Sequence, residues 1–81
     1  MAITFQPVAV ETASDDSEGI LVLHEGRLVA VLVRLADQVH GSDRGSWHLE
    51  AGFGRCFELP RIFADLPEAE FWVRDRLARR K

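Results

Sequence analysis

One cysteine, no apolar run longer than the six residues Leu28 to Val33, and no recognisable catalytic motif set the first boundaries on this chain. A single thiol excludes a disulfide within the chain, whereas a small domain secreted into an oxidising compartment usually carries several cysteines in even number. Cys56 is therefore expected to be reduced, which points to the cytoplasm. Six apolar residues fall far short of the roughly 18 that a membrane-crossing helix needs, so no membrane association is expected. Met1 to Val10 lacks a basic start and is interrupted by Pro7, so it does not read as a secretory leader.

Metal-ligand spacing is also missing. His24, His40, His48 and Cys56 are the candidate ligands, but the closest two stand eight residues apart, against the two to four between paired ligands of structural zinc sites. His40 and His48, with Asp43 and Glu50 nearby, would have to meet at a loop mouth; solvated loop and sheet histidines are the simpler reading. Cys56 beside Arg55 could be an activated nucleophile only with a base at hand, and a lone cysteine next to a phenylalanine is more often a small core residue. No Ser/His/Asp order and no pair of carboxylates at catalytic spacing is recognisable. Gly52-Phe53-Gly54 lacks the following glycine and helix start of a dinucleotide loop. The expectation is a protein without catalytic residues, cofactor or metal.

The net charge of −3 gives no global attraction to nucleic acid or anionic lipid. Its distribution is uneven: Glu11, Asp15, Asp16 and Glu18 make one segment acidic, and Arg74, Arg76, Arg79, Arg80 and Lys81 make the C-terminal stretch basic. With 81 residues the chain suits one domain, 1–81. A chain this short buries only about 60% of its unfolded surface, so its stability margin is thin without help.

The residues present read as strands first and a helix last. Ile3 to Val10 is an edge strand, because Pro7 cannot donate to a ladder. Glu11 to Gly19 is a polar loop. Ile20 to His24 and Arg27 to Leu35 form a hairpin through Glu25-Gly26, where Gly26 can take positive φ, although Asn or Asp before it would be the stronger signal. After a polar loop from Asp37 to Ser46, Trp47, Leu49, Ala51 and Phe53 alternate with His48, Glu50 and Gly52. A short extra strand fits Cys56 to Leu59, stopped by Pro60. Asp65 as N-cap, Glu68 as the reciprocal capping-box residue and Pro67 in the first turn open a helix. Leu66, Ala69, Val73 and Leu77, with Trp72 beside them, form its apolar stripe, and Phe71 falls off it. Trp47 and Trp72 suit a core better than a ligand pocket. The fold class expected is α+β: a three- to four-stranded antiparallel sheet packed against one C-terminal amphipathic helix.

The hairpin carries the functional expectation. In Arg27 to Leu35, strict alternation puts Leu28, Ala30 and Leu32 on one face and Val29, Val31, Val33 and Leu35 on the other, so both faces are apolar. Continuous apolar strands are shielded on both sides, and one helix shields one side. The second side needs the N-terminal segment, the Cys56 to Phe63 stretch or another chain. The expectation is a non-enzymatic interaction module, a homodimer or accessory subunit, using Val29, Val31, Val33 and Leu35, with the loop from His40 to Trp47 as a second place to look.

The alternative is nucleic acid. Phe63-Ala64-Asp65-Leu66-Pro67-Glu68-Ala69-Glu70-Phe71-Trp72 resembles the helix start of phage-integrase arm-binding domains and the DNA-binding families of that plan, in which a three-stranded sheet is backed by one C-terminal helix. That resemblance implies DNA bound by basic and aromatic residues on the open sheet face. Here valines stand in those places, leaving Arg74, Arg76, Arg79, Arg80 and Lys81 as the candidate phosphate contacts.

Overall fold

A computed structural model describes residues 2–12, 16–36, 41–42, 44–58 and 61–79. Among the described residues five strands, β1 (Ile3–Ala9), β2 (Glu18–His24), β3 (Arg27–Arg34), β4 (Trp47–Gly52) and β5 (Ile62–Phe63), precede one helix, α1 (Leu66–Ala78). Their order in the sheet is β1-β2-β3-β4-β5, every neighbouring pair antiparallel, so the sheet is a meander with α1 on one face. The α+β class is as expected, but the sheet has five strands rather than three or four. The fifth is Ile62–Phe63, whereas Cys56, expected to open an extra strand from Cys56 to Leu59, instead ends a 3-10 turn, Gly54–Cys56. Leu59 and Pro60 of that expectation lie outside the described residues.

Local chemistry explains most elements. Glu25 and Gly26 both take positive φ, 51° and 83°, the geometry of a two-residue turn whose twist matches the flanking strands. Pro7 sits on the outermost strand, opposite Ile20, where an absent N–H need not break an inner ladder. The Asp65 carboxylate accepts the Glu68 N–H at 2.9 Å. Glu68 reaches back to the Ala64 N–H at 3.1 Å, one residue beyond the expected partner. Glu70–Arg74 and Asp75–Arg79 pair along the helix at 2.8 and 2.9 Å.

The core lies between α1 and the sheet. Val22, Ala30, Leu32, Cys56, Phe63, Ala69 and Val73 are fully enclosed, with Ile20, Trp47, Leu49 and Trp72 nearly so. The stripe of α1 is the expected one: Ala69, Trp72 and Val73 are buried, Leu66 and Leu77 pack against the cluster, and Phe71 is 75% exposed.

Two bulges correct the simple alternation. Between β2 and β3 the pairs run Val22↔Ala30 and then Leu23↔Leu28, which leaves Val29 as an extra residue. Its side chain packs against the helix-side core, not beside Val31 as strict alternation implied. Between β3 and β4 the pairs run Val31↔Ala51 and then Leu32↔Leu49, which leaves Glu50 extra. Partners across an antiparallel pair share a face, so Ala51 joins Val31 on the helix-free side while Leu49 stays in the core. Phe53, extended at φ −124° and ψ 145°, continues that alternation to the helix-free side, away from Trp47. Gly52 points the other way, where any side chain would strike the Cys56 carbonyl.

Candidate interaction surface

The helix-free face divides into a closed half and an open half. Val33 and Leu35 are only 2% and 6% exposed, and the chain closes them itself. The Asp16 carboxylate accepts the Ala36 N–H at 2.7 Å, Thr12 Oγ1 donates to the Asp16 carbonyl at 2.6 Å, and the Val10 N–H donates to Ser17. Val10 thereby lies over Gly19, opposite which a larger residue would collide with its side chain. The N-terminal connection is thus one of the three covers that the apolar hairpin required. Of the four expected surface residues, Val33 and Leu35 lie beneath it, Val29 turns toward the core, and Val31 remains on the open half.

The open half is built by register. Thr4, Leu23 and Leu28 form one row across the sheet, and Gln6, Leu21, Val31 and Ala51 the next. Leu28 is 40% exposed and Phe53, by alternation at the same end, 49%. Leu21, Leu23 and Val31 are half-buried. None of these residues carries a charge, so water meets a neutral apolar strip at the middle of the sheet. Leu21, Leu23 and Phe53 were not singled out from the sequence; the apolar character of β2 on both faces was the signal for the leucines, and the Glu50 bulge concealed Phe53.

Beside this strip, at the end away from the hairpin turn, lies a cleft of about 300 Å³ lined by Thr12, Asp16, Val33, Leu35, His48, Glu50 and Ile62. Its floor is apolar and its rim acidic, with Glu50 Oε1 at 3.5 Å from His48 Nδ1. No group of three or more His, Cys, Asp or Glu residues close enough to hold a metal ion occurs among the described residues. His40 lies outside them. Cys56 is sealed in the helix-side core, where desolvation pushes its thiol pKa up and the Arg76 charge only partly opposes that. That is the opposite of the activation a nucleophilic thiol needs. Trp47 and Trp72 belong to the same core, and Trp72 also borders a cleft of about 280 Å³ with Glu58, Arg61, Glu68 and Arg76.

Three of the expected phosphate contacts, Arg74, Arg76 and Arg79, are engaged within the chain. Arg74 and Arg79 pair with Glu70 and Asp75. Arg76 donates to the carbonyls of Arg55 and Phe57, both at 3.0 Å, pairs with Glu58 at 3.2 Å, and covers the Trp72 ring. Arg55 returns a bond of 2.9 Å to the Leu77 carbonyl, so the two arginines lace the 3-10 turn to the last turn of α1. Arg80 and Lys81 lie outside the described residues. No helix is long and apolar enough to cross a membrane among the described residues.

Comparison with known protein families, curated proteins and solved structures yields no match.

Proposed function

We infer that this protein is a non-enzymatic interaction module that associates with a second copy of itself through the helix-free sheet face, in a reducing compartment such as the cytoplasm. The observation that carries the reading is the uncharged strip of Leu21, Leu23, Leu28, Val31 and Phe53, left open by a sheet whose other face is filled. A second copy suits it because a neutral apolar patch meets its own image without like charges facing each other, as a twofold interface requires. Pairing through the outer edge of β1 is less favoured, since Pro7 withholds a donor in mid-strand.

Sedimentation equilibrium tests the reading. A dimer mass is expected at high micromolar concentration, shifting to monomer in Leu28→Glu, a position exposed enough to accept the change in the separate chain. A monomer mass for the unaltered protein under those conditions overturns it. Nucleic-acid binding would instead show as affinity falling steeply with salt, and no observation on the helix end favours it.

A further inference from the structure

Resting on that self-association, we propose that the two copies lie antiparallel, with the Phe53 ring of each seated in the partner's apolar cleft against Ile62. Both features belong to the helix-free face. Phe53 follows Ala51 by two residues in extended backbone, so it returns to the side of Val31. Its N–H donates to the Val29 carbonyl at 2.9 Å, which holds it at the turn end of β3. Ile62 closes a third row across the sheet, Val8, Gly19, Val33, His48 and Ile62, at the other end of the open strip. The single chain leaves both side chains in water, Phe53 49% and Ile62 44% exposed. The cleft beside Ile62, about 300 Å³, has room for a phenyl ring. Its apolar floor suits the ring body, and the Glu50 carboxylate at its rim suits the positive ring edge.

Symmetry connects ring and cleft. The row of Gln6, Leu21, Val31 and Ala51 lies midway between the level of Phe53 and the row of Ile62, about 7 Å from each, or two residues of strand. A twofold axis lying in the interface along that middle row sets β4 over β4 in the reverse direction. The Phe53 end of one copy then lands on the cleft end of the other, twice. Leu21, Val31 and Ala51 meet their twins at the axis, so apolar residues fill the centre and aromatic anchors close the two ends. Glu50 does not oppose the approach: its carboxylate turns along the strand to His48, 3.5 Å away, and so away from the axis and from its own twin. Aligned sheet faces accept the arrangement with a tilt of about 30°. The alternative axis, parallel to the strands, would keep both Phe53 rings at one end and leave both clefts empty.

A mutant cycle read by sedimentation tests this. Phe53→Ala and Ile62→Ala, both at exposed positions, are each expected to raise the dimer Kd about tenfold. Because the two side chains touch across the interface, the double variant is expected to be about as weak as Phe53→Ala alone, whereas independent sites would give roughly a hundredfold loss. A cysteine at the exposed end of the middle row, Gln6→Cys, is expected to cross-link to its twin through a short bismaleimide. The unaltered protein is the control, its Cys56 being sealed in the core. Circular dichroism confirms folding of each variant. Single substitutions without effect, an additive double variant, or no cross-link in Gln6→Cys overturns the orientation while leaving self-association standing. A monomer before any substitution removes both.

Discussion

At the residue scale, conformation and solvation at single positions have measurable consequences. Glu25 occupies a left-handed conformation at φ 51°, which costs a side chain other than Gly, Asn or Asp about 1 kcal/mol or more. Glu25→Asn keeps the turn and is expected to stabilise the protein by about 0.5 to 1 kcal/mol, read as a higher urea midpoint with unchanged slope. Gly52→Ala should do the reverse. Its methyl group would meet the Cys56 carbonyl, which cannot retreat without dislodging a buried thiol, so a loss above about 2 kcal/mol is expected. Cys56 adds a pH dependence. An unfolded thiol ionises near 9.0 and the folded one higher, so the native state holds a proton that the unfolded state releases. The stability linked to it is intact below that unfolded value and is lost as pH rises through the native one. The chain has no tyrosine and Lys81 is its sole lysine, which leaves little else to titrate in that range. Urea melts between about pH 8 and 10 should therefore show falling stability, and Cys56→Ala should flatten the fall.

At the scale of elements, the helix was the most legible part of the sequence and the bulges the least. Asp65, Pro67 and Glu68 mark a helix start by local hydrogen bonding alone, and the stripe from Leu66 to Leu77 follows from helical spacing; both need no tertiary context. Asp65→Ala is expected to lower stability by about 1 kcal/mol, measured by thermal unfolding. The hairpin, too, is local, written in Glu25-Gly26 and the flanking aliphatics. The extra residues Val29 and Glu50 are different. Nothing in the run of valines distinguishes Val29, because a bulge arises where two neighbouring strands must shift register to fit the core. Strict alternation therefore misplaced Val29, Ala51 and Phe53. The 3-10 turn escaped for the same reason: it is held by Arg76 and Arg55, each more than 18 residues away from its bonded carbonyl on Phe57 or Leu77. Arg76→Gln loses the bonds to Arg55, Phe57 and Glu58 together, and is expected to destabilise by about 1 to 3 kcal/mol.

At the scale of the whole molecule, the apolar hairpin asked for cover on both sides, and the answer is divided. The helix fills one side. On the other, the chain protects Val33 and Leu35 with Asp16 and its neighbours and leaves the strip around Val31 open. Which half would be covered was not legible, since it depends on where the polar connection between β1 and β2 settles, and its hydrogen bond to Ala36 spans 20 residues. On the proposed reading the tasks separate within a single strand: the later residues of β3 stabilise the monomer, and the earlier ones are left for association. Leu28→Glu should accordingly abolish dimer formation while changing the monomer's stability by less than about 1 kcal/mol, whereas Val33→Glu should unfold it.

The order of the five strands bears on how the molecule comes to exist at all. Each strand lies beside its predecessor, so every ladder can zip from a nearby connection without first closing a distant loop, and the search for the native state is short. The sheet can grow outward from the Glu25-Gly26 turn, with the helix arriving last to seal one side. Until that happens both sides of the hairpin stand bare, and the leucines of the proposed interface are the ones through which half-made chains would stick together.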